Sequence, residues 1–292
     1  MSNAPKWLSR TAVALGAALV VLLIAGSAFA APQGEPGIGL PRDFSVDGHR
    51  IDWLIKVTTI FVAILFAIMC IWMVWACIAH NKEHTAEYDH GTSSHAIKTA
   101  LLISAVIFLI VDGNLFVNSM MDLDAAFWNF KSPESNPKAV RIEVNAHQWA
   151  WDFRYPGEDG EFNTADDIVQ LNEMRVPVGR PIILQIASVD VIHSFSLPNF
   201  RTKIDATPGH INHLWFQATG TGDFDIACTQ HCGVNHYKMK ALLTVMESDA
   251  YETWAAEMSA EGTRRYQEAV RNGSSERFQQ SLWGWKWEPR DF

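Results

Sequence analysis

One short stretch concentrates the side chains most able to do chemistry: Cys228-Thr-Gln-His-Cys232-Gly-Val-Asn-His236-Tyr-Lys-Met239. It reads Cys-x3-Cys-x3-His-x2-Met. A further histidine, His193, lies upstream in Val191-Ile-His-Ser-Phe-Ser-Leu-Pro. Two thiols, two imidazoles and a thioether form a soft set of nitrogen and sulfur donors. Such donors select copper, zinc or iron–sulfur centres over magnesium or calcium. A single blue-copper ion needs one Cys, two His and a weak axial Met, so the second cysteine is surplus to a one-copper site. Two thiolates can instead bridge two copper ions, with one His on each. Sharing charge across both metals limits the geometric change on electron transfer. The competing reading is a disulfide between Cys228 and Cys232, with His193 as a structural histidine. Cys-x-x-Cys-His is absent, so covalently attached haem is not expected.

The elements that must position these residues follow from the pattern around them. From about residue 138 to 247 the chain breaks into short alternating runs: Val140–Asn145, Gln148–Tyr155, Ile168–Val176, Ile182–Ser188, Ile211–Gln217, Phe224–Cys228 and Ala241–Met246. Gly, Pro, Asp and Asn separate them, which predicts a β-sandwich or barrel. Residues 248–281 read as a helix with Ser248 as its N-cap. They open a C-terminal extension, 248–292, that ends in an aromatic run, Trp283-Gly-Trp285-Lys-Trp287. The loop from Glu158 to Asp167 is acidic but lacks EF-hand spacing, and reads as a solvated hairpin rather than a calcium site.

Upstream the texture is different. Residues 1–30 read as a secretory signal, with Lys6 and Arg10 at its start and Ala28-Phe-Ala30 as a cleavage site. The alternative is an uncleaved first membrane helix. A Pro- and Gly-rich tail would occupy residues 31–50. Residues 51–120 form a hairpin of two apolar runs, Trp53–Ala79 and Ile97–Val117, each long enough for the ~20 residues that span a bilayer. Asp112 and Asn114 in the second run should face protein or water. Both ends of the mature chain then lie outside, in a bacterial-type inner membrane, with the metal domain on the periplasmic face. The whole chain has 292 residues, is 48% hydrophobic and carries a formal net charge of −9. That acidic balance argues against nucleic-acid binding and suits a domain that attracts a basic partner.

Three further motifs accompany the metal constellation: Ala146-His147-Gln148-Trp149-Ala150-Trp151, Asp190-Val-Ile-His193-Ser-Phe195, and Lys203-Ile-Asp205-Ala-Thr-Pro208-Gly209. With them the sequence resembles cytochrome c oxidase subunit II, the haem-copper oxidase subunit with a binuclear CuA site, from the membrane spans to about Met246. The resemblance implies a two-helix transmembrane hairpin followed by an all-β, cupredoxin-like Greek-key domain. It implies two copper ions: one on His193 and Met239, the other on His236 and the backbone carbonyl of Gln230, with Cys228 and Cys232 bridging both. His231, between the cysteines, is read as exposed or supporting rather than ligating. Gln230 stands where the family has Glu. A neutral amide is a weaker ligand for a hard cation, which weakens the case for the family's magnesium ion at the subunit border.

The same resemblance makes Trp149 the residue that receives electrons, with Asp190, Asp223 and Asp225 as docking acids for a basic c-type cytochrome. Val189 and Arg154 stand where other family acids do not recur. Strand alternation would put Trp149 and Trp151 on one face. His95 lies near the position of a family Glu at the mouth of a proton path. The implied partners are the catalytic haem-copper subunit I, which carries the haem, other oxidase subunits and the cytochrome donor. The function implied is transfer of electrons from that cytochrome to subunit I, for oxygen reduction coupled to proton translocation. The alternatives are the copper subunit of a related nitric oxide reductase and, more remotely, a stand-alone copper carrier.

Overall fold

The computed structural model describes residues 40–85, 88 and 90–274. The signal segment over 1–30, residues 31–39 of the tail and the tryptophan-rich end lie outside these residues. The chain divides into a helical unit containing Arg50–Asp122 and a second unit containing Asp43–His49 and the chain from Leu123 onward.

The helical unit is built from α1 (Gly48–Ala79) and α2 (Ser94–Ile107). A π-helical turn, Phe108–Asp112, joins α2 to α3 (Gly113–Asp122). Ser93 caps α2, its Oγ accepting from the Ala96 N–H at 3.4 Å. Gly48–Ala79 and Ser94–Glu134 are both long and apolar enough to cross a membrane. Both helices run past the apolar segments that mark them in the sequence, because their polar flanks continue the same hydrogen-bonded spiral. Trp72, Ile71, Leu101 and Leu109 all face outward. Apolar residues on every side of a helix call for an apolar surround. Asp112 lies in the π-helical turn and is exposed.

The second unit is a β-sandwich of ten strands. They are β1 (Val140–His147), β2 (Ala150–Tyr155), β3 (Ile168–Leu171), β4 (Glu173–Pro177), β5 (Pro181–Ser188), β6 (His193–Leu197), β7 (Thr202–Ala206), β8 (Asn212–Gln217), β9 (Gly222–Cys228) and β10 (Lys240–Met246). One sheet runs β3-β2-β1-β5-β8 and the other β4-β10-β9-β6-β7. β1 pairs in parallel with β5, and β4 with β10; the remaining pairs are antiparallel. This is the cupredoxin-like sandwich the sequence implies. Ile142, Val144, Trp151, Phe153, Leu184, Ile186, Phe195, Ile226 and Leu243 are wholly buried between the sheets. Each such side chain contributes roughly 1.5–3 kcal/mol by leaving water.

Beyond shifts of a residue or two at strand ends, the structure departs from the sequence pattern at three places. Gln148 and Trp149 form a turn, so β2 starts at Ala150. The run Ile168–Val176 is two strands in different sheets. Asn172, at φ 56°, turns the chain between them, a conformation that Asn tolerates better than most residues. Its backbone N–H donates to Trp151 O (2.7 Å), its side-chain oxygen accepts from Trp151 N (2.9 Å), and its carbonyl accepts from Leu242 N (2.9 Å). β6 and β7 carried no clean alternation: β6 is buried at every position, and β7 carries Lys203 and Asp205 outward. The Tyr155 hydroxyl joins the two sheets, donating to Arg175 O at 3.1 Å and accepting from Arg175 N at 2.8 Å.

A short helix, α4 (Lys131–Glu134), comes before β1 in the chain, and helix α5 (Ser248–Arg271) closes the unit. Its cap residue is Glu247 rather than Ser248, and Gly273, in the left-handed region at φ 67°, follows its end. The helix buries Tyr251 and Trp254. The Trp254 ring lies 5.3 Å from that of Tyr155 and under the Arg175 guanidinium.

Arg154 is not a surface residue. It and Glu143 are wholly buried, joined by Nε–Oε2 at 2.6 Å and by a second contact through Nη2. Arg154 also reaches Asn163 (2.7 Å) and Asp167 (3.5 Å). Burial pushes the Glu143 carboxyl up to about 7 despite Arg154. A folded value above the unfolded 4.5 stabilises the fold fully below pH 4.5, and that contribution is lost as pH rises through 7. Raising the pH from 4.5 through 7 should therefore lower the stability through this group. Glu143→Gln should flatten the slope in denaturant unfolding followed by tryptophan fluorescence; an unchanged slope would place the titration elsewhere.

Candidate metal centre

Strand register brings the two separated halves of the donor set together. β6 and β9 are antiparallel, with Phe195 opposite Cys228. The ladder runs on through Thr229 N to Ser194 O at 3.0 Å. Side chains alternate along a strand, so His193 and Phe195 face the interior with Phe224, Ile226 and Cys228. After β9 the chain loops back through residues 229–235 and a 3-10 turn, His236–Lys238, into β10. Cys228 N donates to Met239 O at 3.1 Å, which closes the loop at its base. One end of one sheet therefore supplies every expected donor.

Their separations are short. Cys228 Sγ lies 3.7 Å from Cys232 Sγ, 4.0 Å from His193 Nδ1 and 3.2 Å from the Gln230 carbonyl oxygen. Cys232 Sγ lies 3.6 Å from His236 Nδ1 and 3.7 Å from Met239 Sδ. Both cysteines are free; a disulfide would bring the sulfurs to ~2.05 Å. A gap of 3.7 Å is less than twice a metal–sulfur bond of ~2.3 Å, so one ion can touch both sulfurs. Among the described residues, the ligand atoms of His193, Cys228 and Cys232 all lie within 4.8 Å of one another. His193, Cys228, Cys232 and Met239 are buried. Burial first, and then the neighbouring Cys228 thiol and Asp190, push the Cys232 thiol up to about 12. Only a cation in the pocket would balance thiolates there. A soft, desolvated set of this kind fits copper.

Asp190 sits behind His193. Its carboxylate accepts from His193 Nε2 (2.9 Å), Val191 N (2.6 Å) and Gln148 N (2.6 Å). Partial burial opposes ionisation, but these bonds outweigh it and hold the carboxyl below its ordinary value. The ring bond leaves His193 Nδ1 to face the sulfurs, the usual arrangement behind a metal-bound imidazole. Asp223 and Asp225 are exposed on the outer face of β9, about 17 and 10 Å along the strand from Cys228. Asp223 accepts from Thr244 Oγ1 at 2.8 Å. His95 is exposed in the first turn of α2, and His231 and Gln230 are exposed beside the cysteines.

The two motif tryptophans separate. Trp149, half-buried in the β1–β2 turn, donates from Nε1 to the Cys232 carbonyl at 3.1 Å. Trp151 is wholly buried, 5.5 Å from the Phe195 ring and 6.1 Å from the His193 ring. Two residues of the site went unassigned in the sequence: Gln148, whose Nε2 donates to Cys232 O at 2.8 Å, and Gly233, packed against Gln148 and Trp149. Gly directly after the second cysteine was the available signal. In the acidic loop, the Asp166 carboxylate accepts from Glu158 N, Thr164 Oγ1 and Ser259 Oγ, and that of Asp167 from Asn163 N.

Two helices long and apolar enough to cross a membrane precede a β-sandwich that gathers thiol, imidazole and thioether donors at one end. Residues 140–246 match the family described as cytochrome c oxidase subunit II, periplasmic domain. The alternative cytochrome c oxidase subunit 2 of Bradyrhizobium diazoefficiens is 34% identical over 40% of this chain and 50% of its own length. The chain thus spans half the length of that relative. The cytochrome c oxidase subunit 2 of Cereibacter sphaeroides is 27% identical over 80% of this chain and 86% of its own. The crystal structure of the periplasmic domain of subunit II of cytochrome oxidase from Bradyrhizobium japonicum is 31% identical, with a TM-score of 0.38, over 42% of this chain and 94% of that one. Over residues 140–246 the chain therefore carries the match to the cytochrome c oxidase subunit II periplasmic domain, and the similarity to whole subunits extends beyond it.

Proposed function

We propose that this chain is the electron-receiving subunit of a haem-copper terminal oxidase, holding two copper ions outside the lipid of a bacterial inner membrane. The observation that carries this reading is the pair of unbonded, buried sulfurs 3.7 Å apart, with a histidine Nδ1 near each. A one-copper site would leave one thiol without a role. Cys228 and Cys232 would bridge, with His193 and Met239 completing one position and His236 and the Gln230 carbonyl the other. When bound, the copper pair supplies a one-electron redox centre. The chain's own residues hold it dry and oriented: Asp190 fixes the His193 ring, and Trp149 joins the surface to the Cys232 peptide. The donor would be a c-type cytochrome and the acceptor the haem of subunit I, where oxygen is reduced and protons are translocated. Val189, Val191, Ile192, Val234 and Tyr237 are exposed beside these loops, so the docking face includes apolar surface as well as Asp190.

Electron paramagnetic resonance on the copper-loaded full chain tests the centre. A mixed-valence signal shared by two coppers is expected, whereas a one-copper spectrum at full loading refutes it. Gln230→Ala should keep the signal, because the main-chain carbonyl remains; copper loss in that variant would overturn the assignment of that carbonyl as the ligand. Gas consumption by the purified complex separates oxygen, the expected acceptor, from nitric oxide. Because Gln230 offers a neutral amide, no magnesium is assigned at this position.

A further inference from the structure

The Cys232 carbonyl receives two side-chain donors from the opposite sheet's β1–β2 turn. Gln148 Nε2 donates at 2.8 Å and Trp149 Nε1 at 3.1 Å. The adjoining residue is Gly233, at φ 117°, where an added Cβ would meet Gln148 Nε2 at 3.0 Å, Trp149 Cζ2 at 3.1 Å and Trp149 Nε1 at 3.3 Å. Contacts that close oblige the neighbours to move, and the neighbours here are the two donors themselves. Gly233 has two reasons to be glycine: its backbone lies in the region L side chains rarely adopt, and both donors pack where its side chain would be. The Gln148 backbone is tied in turn to Asp190, the partner of His193. The turn is thus pinned to both halves of the metal pocket.

We propose that Gln148 and Gly233 are positioning residues for electron uptake: Gly233 leaves the space, and Gln148 supplies the clamp, that hold the Trp149 indole N–H on the Cys232 carbonyl. This rests on Trp149 being the electron-receiving residue. The bond makes a continuous link from the indole ring through the Cys232 peptide and Cβ to its sulfur. One electron would pass from the reduced cytochrome to the centre that Cys228, Cys232, His193 and His236 would hold; no bond is made or broken and no proton need move. A carbonyl fixed by two donors keeps that link at one length, where a loose indole would present a range of gaps.

Gln148 is solvent-exposed, so its removal should not unfold the domain. The test uses the full chain in detergent, labelled with 15N-tryptophan, in wild type, Gln148→Ala and Gly233→Ala. The Trp149 indole resonance is assigned by its loss in Trp149→Phe. In the metal-free chain, hydrogen exchange at that indole N–H is expected to speed up roughly tenfold or more in both variants, on the scale of one lost hydrogen bond. In the copper-loaded chain, reduction by a c-type cytochrome should slow about tenfold while the copper-to-protein ratio and the mixed-valence signal persist. Exchange unchanged in Gln148→Ala overturns the proposal, even if Gly233→Ala fails to fold because of its strained backbone. Exchange that quickens while reduction keeps its rate overturns the link to electron uptake. If Trp149→Phe is reduced as fast as wild type, the assignment of Trp149 itself fails, a result separate from the exchange measurement.

Discussion

Replacing Cys228 or Cys232 with serine is expected to abolish the mixed-valence copper signal and to stop electron transfer almost completely. The loss should exceed the ~10–100-fold that follows from removing a supporting partner of a metal ligand, because a bridging donor itself is gone. A serine hydroxyl is close in size to a thiol but is a hard donor, and copper in its lower oxidation state selects soft sulfur. With one thiolate left, the remaining set is one Cys, His193, His236 and Met239, which is that of a single blue-copper ion. Cys232→Ser should therefore hold one copper at most, with a one-copper spectrum. Thermal unfolding of the metal-free chain should change little, since the swap leaves the packing around residues 228 and 232 nearly intact. A serine variant that still shows the shared two-copper signal would end the bridging interpretation.

Asp190→Ala is expected to weaken copper binding by 10–100-fold. The carboxylate takes hydrogen bonds from His193 Nε2, Val191 N and Gln148 N. Its removal frees the imidazole to rotate and strips two backbone donors of their acceptor. Leaving such donors unsatisfied costs about 1–3 kcal/mol for a buried group and less near the surface. The variant also separates two roles for Asp190. If it only attracted a basic cytochrome, losing it would slow reduction at low salt and leave copper affinity untouched. Competition against a copper chelator, with the reduction rate followed across ionic strength, distinguishes them. Weakened binding at every salt concentration is the expected outcome.

The sandwich and the donor set were legible in the sequence for different reasons. Val140–Asn145, Ile182–Ser188 and Ala241–Met246 declare themselves because they are long apolar runs bounded by turn residues. β6 did not, since a strand buried on both faces has no alternation to read. The break at Asn172 was hidden because a single left-handed residue inside an apolar run leaves little compositional trace. Cys228, Cys232, His236 and Met239 were visible because rare residue types crowd into one loop, whereas His193 needed the β6–β9 register to become their neighbour. Asp190 looks like a surface docking acid in the sequence; only its three-dimensional partners place it behind the His193 ring. Arg154 was equally opaque, because composition cannot tell a buried guanidinium from an exposed one until Glu143 and Asp167 are seen to enclose it.

The aromatic seam under α5 sets the smallest stretch of this chain able to stand by itself. The family match stops at residue 246, yet Tyr155 meets Trp254 edge to face, Arg175 and Arg180 cover Trp254 and Tyr251, and Ser259 ties down the 158–167 loop through Asp166. A fragment trimmed to the match would bare an oily stripe along the outer strands and loosen that loop. The practical boundary of the soluble module is thus the end of α5, and the homology boundary falls a full helix short of it.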